Sequence, residues 1–253
     1  MNVELLKNNG FNIDQSLELL GDMETYNDIL NEFLNNYNEK IGLIKKYYEE
    51  NDMPNYAIQV HSLKSDAKYL GITELAEKSY EHELKSKEND SMFVKEHINE
   101  LLTIADKYQK IAAQYLGVGQ VESNQAGAQA EKAILVADDS NIIRSIAEKM
   151  IGSKYRIIGA SDGEEAIKQI DENKDALIGV LLDINMPNVN GFEVLSFCKN
   201  NNLFGKIPVV IITGDDSKET IMNAFDYPIL DVLAKPFNES DITRVIAKME
   251  MNG

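Results

Sequence analysis

The sequence contains a single cysteine, few basic residues and no long run of apolar residues. Cys198 alone cannot form a disulfide within the chain, and the region after Met1 lacks the basic and then apolar segments of a signal peptide. We therefore expect a cytoplasmic protein. No stretch approaches the roughly 20 apolar residues that cross a bilayer, so no membrane span is predicted.

Basic residues are outnumbered by acidic ones throughout, and the formal net charge is -17. Residues 1–120 contain 12 Lys and Arg against 21 Asp and Glu, and the remainder contains 13 against 21. Nucleic-acid binding draws most of its affinity from Lys and Arg side chains that neutralise phosphates. DNA, RNA and anionic membrane surfaces are therefore excluded as expected partners.

With 253 residues, of which 43% are hydrophobic, the chain is long enough for two domains that each bury a core. Residues 117–131 are rich in Gly, Gln, Ala and Ser and contain few large apolar residues. This composition is typical of a flexible linker. We therefore predict one domain at residues 1–116 and a second at residues 132–253.

Apolar residues recur at helical spacing in the first domain. Two such runs begin near Ile29 and Ala57, and two more cover residues 73–87 and 92–115. Gly71 separates the second run from the third. Four long helices joined by short turns predict an antiparallel four-helix bundle.

The second domain has a different pattern, in which five short apolar runs alternate with helical segments. The runs lie at residues 134–137, 155–160, 177–183, 208–213 and 229–234. Continuous Val, Ile and Leu strands separated by helices predict a parallel sheet that is covered on both faces. Ligands of such folds bind at the carboxyl ends of the strands.

Polar residues follow four of these five strands: Asp138 and Asp139, then Asp183, Thr213 and Lys235. Three carboxylates at one edge repel each other and need a cation, and oxygen ligands favour Mg²⁺, with Asp139 and Asp183 as the expected ligands. An Asp oxygen can attack a phosphoryl group while the Thr hydroxyl and the Lys ammonium stabilise its oxygens. The pattern therefore predicts aspartyl-phosphate chemistry.

The segments VADDS, LLDINMPNVNGFEVL, VVIITGDD and LAKPF resemble the successive motifs of response-regulator receiver domains, over residues 133–250. The resemblance implies a flavodoxin-like (βα)5 doubly wound parallel sheet and Mg²⁺ as the cofactor. The residue roles that it implies are the phosphoacceptor Asp183, metal binding by Asp138, Asp139, Asp183 and the backbone carbonyl of Asn185, the switch residue Thr213, and Lys235 before a cis Pro236.

The chain departs from the usual receiver pattern at two places. Val232 stands where receivers usually carry Tyr or Phe, and residues 227–229 replace a common small-Gly-Ala turn. We therefore expect the usual signalling face to be used differently.

Polar Asn185 and Asp215 lie two positions past the acceptor and the switch residue. Their side chains could position a water that attacks the phosphoryl group, so short-lived phosphorylation is expected.

His61 lies in the middle of a helical segment, with Lys64, Ser65 and Lys68 on the same stripe of the helix. A neutral imidazole is a nucleophile near pH 7, and the lysines could steady a phosphoryl oxygen. The alternative from spacing alone is a solvated residue at the boundary of an apolar face.

The segment HSLKSDAKYLG resembles the phosphoacceptor motif of histidine phosphotransfer (HPt) domains, with Ser65 in place of the usual Gly, and the likeness extends over about residues 11–115. The resemblance implies that His61 accepts phosphoryl groups. His82 and His97 lack cationic neighbours on a shared stripe, and we interpret them as surface residues.

The two domains are chemically complementary, because receivers and HPt domains exchange phosphoryl groups. We therefore predict a two-component phosphorelay protein that passes phosphoryl groups through His61 and Asp183. Its expected partners are a sensor histidine kinase and other receiver or HPt proteins, and transfer through a His61 to Asp183 contact within the chain is a separate hypothesis. No kinase ATP-binding motif is present, which favours a phosphoryl carrier over an enzyme.

Two alternatives remain open. With no effector domain recognised, the chain could be a receiver-controlled binding switch or phosphate sink in which His61 is vestigial. A phosphatase of the haloacid-dehalogenase type also uses Asp, Thr, Lys and Mg²⁺. That class requires a DxDxT-like motif after the first strand, which VADDSN does not supply.

Overall fold

A computed structural model of the chain describes residues 2–117, 132–214 and 218–252. The chain divides into two compact units, Met1–Asn124 and Gln125–Gly253. Apart from Gly117, the predicted linker at residues 117–131 lies outside the described residues, as does Asp215. Among the described residues, no helix is both long and apolar enough to cross a membrane.

The first unit is helical, as the apolar spacing predicted. Two short helices come in addition to the four long ones, and α3 and α5 each pack against both α4 and α6. The helices are α1 Val3–Lys7, α2 Ile13–Leu20, α3 Met23–Glu49, α4 Met53–Tyr69, α5 Thr73–Lys87 and α6 Ser91–Leu116.

Side-chain caps and a glycine turn define the ends of the long helices. Asp22, Asp52 and Asp90 precede α3, α4 and α6, and each accepts a hydrogen bond from a backbone N–H three residues later. Gly71, with a φ of +70°, turns the chain between α4 and α5, and a Cβ there would lie 2.4 Å from the carbonyl oxygen of Asn12. These contacts set the position of α4, the helix that contains His61.

The second unit is a five-stranded parallel sheet in the order β2-β1-β3-β4-β5, and the strands alternate with helices along the chain. The strands are β1 Ala133–Ala137, β2 Arg156–Ala160, β3 Leu177–Asp183, β4 Val209–Thr213 and β5 Asp231–Ala234. The helices are α7 Asn141–Ile151, α8 Gly163–Asn173, α9 Gly191–Asn200, α10 Lys218–Ala224 and α11 Glu239–Asn252. The predicted flavodoxin-like sheet is confirmed.

The fifth strand begins two residues later than its apolar run predicted. The Tyr227 N–H donates to the Ala224 carbonyl, and the Ile229 N–H donates to the Tyr227 carbonyl, so Ile229 belongs to a turn. The central strands β1, β3 and β4 are buried along almost their whole length. Because all strands are parallel, their carboxyl ends lie at one edge, where the strand order reverses between β1 and β3.

Candidate functional site

Three carboxylates meet at the carboxyl edge of the sheet. Asp138 and Asp139 follow β1, and Asp183 is the last residue of β3. One oxygen from each side chain lies within 4.8 Å of the others. Asp138 and Asp183 are completely buried, whereas Asp139 is half-buried. The residues that the sequence placed at strand ends therefore form one acidic cluster.

Lys235 supplies the positive charge in this cluster. It follows β5, and its side chain extends past the end of β4 to place Nζ 2.7 Å from Asp138 Oδ2 and 2.6 Å from Asp183 Oδ2. Only 4% of Lys235 is exposed. Its backbone N–H donates to the Thr213 carbonyl at 2.6 Å, and the following peptide bond to Pro236 is cis.

Burial and charge pairing set the protonation of these groups. Burial raises the pKa of Asp138, and the neighbouring Asp183 charge raises it further, while Lys235 acts in the opposite direction. Burial by itself would lower the pKa of Lys235, but the two carboxylates hold it above its ordinary value. Lys235 is therefore charged at neutral pH, and it balances only one of the three carboxylates when all are ionised.

The remaining negative charge and the donor atoms fit Mg²⁺. The available ligands are carboxylate oxygens, which this cation prefers, and Asp138, Asp139 and Asp183 lie close enough together to share one ion or its bound waters. A divalent cation would offset the repulsion that Lys235 leaves uncompensated. The residues present are thus compatible with the predicted cofactor.

Thr213, Asn185 and Ser140 surround the acidic cluster. Thr213 ends β4 next to β3, and its hydroxyl donates to the Gly214 carbonyl at 3.2 Å. The Asn185 N–H donates to Asp183 Oδ1 at 3.0 Å, and the Ser140 N–H donates to Asp138 Oδ1 at 3.0 Å. Sequence reasoning missed Ser140, whose hydroxyl also caps α7. Metal binding by the Asn185 carbonyl stays a prediction.

Tyr227 lies near the position where the sequence lacks the usual aromatic residue. Val232 is a half-buried residue of β5, and Tyr227 precedes it by five residues. Tyr227 Oη lies 2.9 Å from Ser196 Oγ, and its ring packs against Phe192 at 6.5 Å between ring centroids. The aromatic residue before β5 is therefore packed on α9.

His61 in the first unit is held by a carboxylate that sequence reasoning did not assign to it. His61 Nδ1 lies 2.7 Å from Glu83 Oε1, and Lys64 Nζ lies 2.7 Å from Glu83 Oε2. The Lys64 ammonium also lies 5.2 Å from the centre of the Tyr80 ring. Glu83 lies 22 positions after His61 on a different helix, so no local spacing relates them.

Glu83 is ionised in this arrangement, and its charge determines the tautomer of His61. Burial by itself would raise the pKa of Glu83, but the hydrogen bond from His61 and the Lys64 and Lys87 charges hold it well below its ordinary value. An ionised carboxylate only accepts hydrogen bonds, so Nδ1 of His61 is the protonated nitrogen. In the neutral ring the lone pair is then on Nε2, which is buried and has no hydrogen-bond partner among the described residues.

One expectation about the first unit was wrong, and the alternative considered for His61 does not hold. His61 is not a solvated boundary residue, since only 4% of it is exposed, and Lys64 is buried against Glu83. His82, interpreted as a surface residue, is fully buried beside Tyr56, with 2.7 Å between Nδ1 and the Tyr Oη. His97 is half-buried and stacks on a phenylalanine. The surface interpretation rested on the lack of cationic neighbours, but the residue that follows His82, Glu83, is itself buried.

The burial of His82 leads to a pH-dependent stability. Burial lowers its pKa from 6.5 to about 4. Below pH 6.5, His82 is protonated in the unfolded chain but stays neutral in the folded unit. The free energy of unfolding therefore decreases as the pH falls from about 6.5 to about 4. We expect His82 to account for about 2 to 3 kcal/mol of this loss. Hydrogen exchange of amides in α4 and α5 measures it, and His82→Gln should show a shallower dependence than wild type.

Comparisons with known proteins match the second unit. Residues 134–247 match the response regulator receiver domain family. Over 119 residues the chain is 31% identical to the CAI-1 autoinducer sensor kinase/phosphatase CqsS of Vibrio cholerae, a match that covers 46% of this chain and 17% of that protein. Over 122 residues it is 27% identical to the two-component response regulator ORR3 of Oryza sativa subsp. indica, covering 48% of this chain and 92% of that protein.

Among solved structures, the receiver domain of Francisella response regulator 1452 is 26% identical, with a TM-score of 0.43, and the match covers 48% of this chain and 99% of that one. Each of these matches covers less than half of this chain. The family match spans the strands whose ends carry Asp138, Asp139, Asp183, Thr213 and Lys235. Residues 134–247 are therefore a response regulator receiver domain.

Proposed function

We propose that this chain is a two-component phosphorelay protein in which the receiver domain accepts phosphoryl groups on Asp183 and the helical unit is an HPt domain that carries them on His61. The observation that carries the proposal is the His61 to Glu83 hydrogen bond at 2.7 Å, which leaves Nε2 as the nucleophilic nitrogen. In this proposal α3 to α6 form the four-helix bundle of the HPt domain.

At the receiver, an Asp183 oxygen attacks the phosphorus atom of a phosphohistidine. An O–P bond forms and the N–P bond breaks, so that the donor nitrogen keeps the electron pair of that bond. The two negative charges that Asp138 and Asp139 provide would hold Mg²⁺ with Asp183 and the Asn185 carbonyl, and the cation would neutralise charge on the phosphoryl oxygens. Lys235 and Thr213 supply a buried ammonium and a hydroxyl to the same oxygens.

In the helical unit, the histidine is the nucleophile and an aspartyl phosphate is the donor. His61 Nε2 attacks the phosphorus atom of an aspartyl phosphate, and the O–P bond breaks to release the carboxylate. The ring becomes cationic as the N–P bond forms, and Glu83, which accepts the Nδ1–H, stabilises that positive charge. Lys64 is held against Glu83 Oε2 and adds a positive charge one helical turn from His61.

The expected partners follow from this chemistry. A sensor histidine kinase or another HPt protein would phosphorylate Asp183, and receivers of other proteins would exchange phosphoryl groups with His61. We propose that the chain carries phosphoryl groups and does not itself use ATP. We propose that it acts in the cytoplasm. The single thiol, Cys198, is buried and its pKa is raised by burial to about 11, which makes it unreactive.

The chemical stability of the bound phosphate tests the proposal. The intact chain is incubated with Mg²⁺ and a phosphorylated receiver, or with a small phosphodonor. Wild type should form acid-stable, base-labile phosphate on Asp183 and base-stable, acid-labile phosphate on His61. When the small phosphodonor is present, His61→Gln should keep only the first kind, while the control His97→Gln should keep both.

Base-stable phosphate that persists in His61→Gln would place the acceptor at another residue. If wild type never acquires base-stable phosphate, even with a phosphorylated receiver in excess, the HPt assignment is wrong. The chain would then be a receiver-controlled binding protein.

A further inference from the structure

The loop that follows Asp183, residues 184–190, orients the acceptor carboxylate; we call it the acceptor loop. Asn185, at its start, donates its backbone N–H to Asp183 Oδ1 at 3.0 Å, while Lys235 holds Oδ2 at 2.6 Å. Both oxygens of the acceptor are therefore directed by hydrogen bonds. One of these bonds comes from the acceptor loop, so the path of this loop affects the direction of the nucleophile.

The acceptor loop turns back on itself directly beneath Asp183. The Gly191 N–H donates to the Ile184 carbonyl at 3.0 Å, which closes the loop. A Cβ on Gly191 would lie 2.4 Å from the Asp183 carbonyl oxygen, so only glycine allows this close approach. The near end of the loop is fixed by its own backbone.

The N-terminus of α8 holds the far end of the acceptor loop. The Gly163 N–H donates to the Val189 carbonyl at 2.8 Å, and Asn188 Nδ2 donates to Asp162 Oδ2 at 3.0 Å. Asp162 is also the N-cap of α8, because its Oδ1 accepts the Glu165 N–H at 2.9 Å. One carboxylate thus caps a helix with one oxygen and holds the acceptor loop with the other.

We propose that Asp162 is a positioning residue for the Mg²⁺ site. It acts through Asn188 on the acceptor loop, and thereby on the Asn185 carbonyl and the Asp183 carboxylate. Groups that orient metal ligands raise metal affinity because the ligands then lose less freedom when the ion binds. This inference rests on the proposed Mg²⁺-dependent function of the receiver domain.

Two substitutions remove the contact without disturbing what surrounds it. Asp162→Ser keeps a side-chain oxygen at the N-cap of α8, where Ser and Asp are similarly favourable, but lacks the second oxygen. Asn188→Gly keeps the left-handed backbone at that position, where φ is +61°, and removes the amide. Asn202→Gly is the matched control, since Asn202 also has a positive φ, of +54°, and is exposed in the turn after α9.

Calorimetric titration of the intact chain with MgCl₂ measures the Mg²⁺ affinity. The same titration of Asp139→Asn, which lacks one of the expected ligands, measures Mg²⁺ binding by other acidic residues. We expect each single variant to bind Mg²⁺ about three- to tenfold more weakly than wild type, which is less than the roughly 10- to 100-fold typical of groups that contact a ligand directly, because Asp162 acts through Asn188. The double variant should bind no more weakly than either single variant, because both changes remove the same contact. Asn202→Gly should bind as wild type does.

The rate of Asp183 phosphorylation by a small phosphodonor distinguishes positioning from general damage. Saturating Mg²⁺ should restore the wild-type rate in both single variants, because the bound ion would then hold the Asp183 carboxylate and the Asn185 carbonyl in place. Wild-type Mg²⁺ affinity in the variants, additive effects, or a low rate that saturating Mg²⁺ does not restore each overturn the inference while wild type still binds Mg²⁺. A wild-type chain that binds no Mg²⁺ above background overturns the proposed function as well.

Discussion

Asp183→Asn is expected to form no acyl phosphate, with labelling by a small phosphodonor slowed at least about 1000-fold. The amide that replaces the carboxylate has no oxygen nucleophile of comparable strength, and it removes one negative charge from the cluster that would hold Mg²⁺. Asp138 and Asp139 would remain, but Asp138 Oδ2 is paired with Lys235. Initial rates of phosphate incorporation at saturating Mg²⁺ measure the effect.

The loss in Asp183→Asn should not come from unfolding. Removing one of three adjacent carboxylates relieves repulsion, and the pKa of Asp138, which the Asp183 charge raises, should fall. Lys235 keeps Asp138 as a partner at 2.7 Å. The control is Asp175→Asn, an exposed residue before β3, which should label as wild type does. Labelling of Asp183→Asn within about tenfold of wild type would place the acceptor elsewhere in the cluster.

Glu83→Gln is expected to slow phosphoryl transfer to His61 by about 100-fold or more. The carboxylate accepts the Nδ1–H at 2.7 Å, and this contact keeps the nucleophilic lone pair on Nε2. A glutamine amide can donate to Nδ1 instead, which moves the proton of the neutral ring to Nε2 and blocks the nucleophile. It also removes the negative charge that stabilises the cationic ring during transfer. Rates of transfer from a phosphorylated receiver measure the effect.

Stability and tautomer measurements separate the chemical effect of Glu83→Gln from a structural one. The substitution removes the negative charge that pairs with the buried Lys64 at 2.7 Å, so the free energy of unfolding should fall by about 3 kcal/mol. Rates are therefore compared well below the melting temperature, and ¹⁵N chemical shifts of His61 report which nitrogen carries the proton. Glu81→Gln is the control, because Glu81 is partly exposed and pairs with Lys78. Transfer within about threefold of wild type would show that Glu83 does not prepare His61.

The receiver pocket could be predicted from the sequence because its residues are read directly from the strand ends. Asp138, Asp183, Thr213 and Lys235 each lie at or just after the last residue of a strand. In a parallel sheet all these ends share one edge, so topology alone brings the residues together. The hydrogen bond between Asn188 of the acceptor loop and Asp162, the N-cap of α8, could not be predicted, because the two residues lie 26 positions apart in segments with no repeating pattern.

In the helical unit, by contrast, the contacts of the candidate site could not be predicted from the sequence. Local spacing singled out His61 and its neighbour Lys64, but it predicted a surface position for His82, which is buried. Helical periodicity assigns a residue to a face of its own helix and does not say which residues of another helix lie opposite. Glu83 contacts His61 only because α5 packs against α4.

By itself, the sequence determined the order of the four long helices and the five strands, the edge of the sheet where the acidic residues meet, and the histidine with a basic neighbour one turn away. Only the tertiary structure decided which atoms meet: Lys235 with two carboxylates, and Glu83 with Nδ1 of His61. The physical reason is that backbone periodicity is a local property, whereas a hydrogen bond between distant segments depends on how whole elements pack.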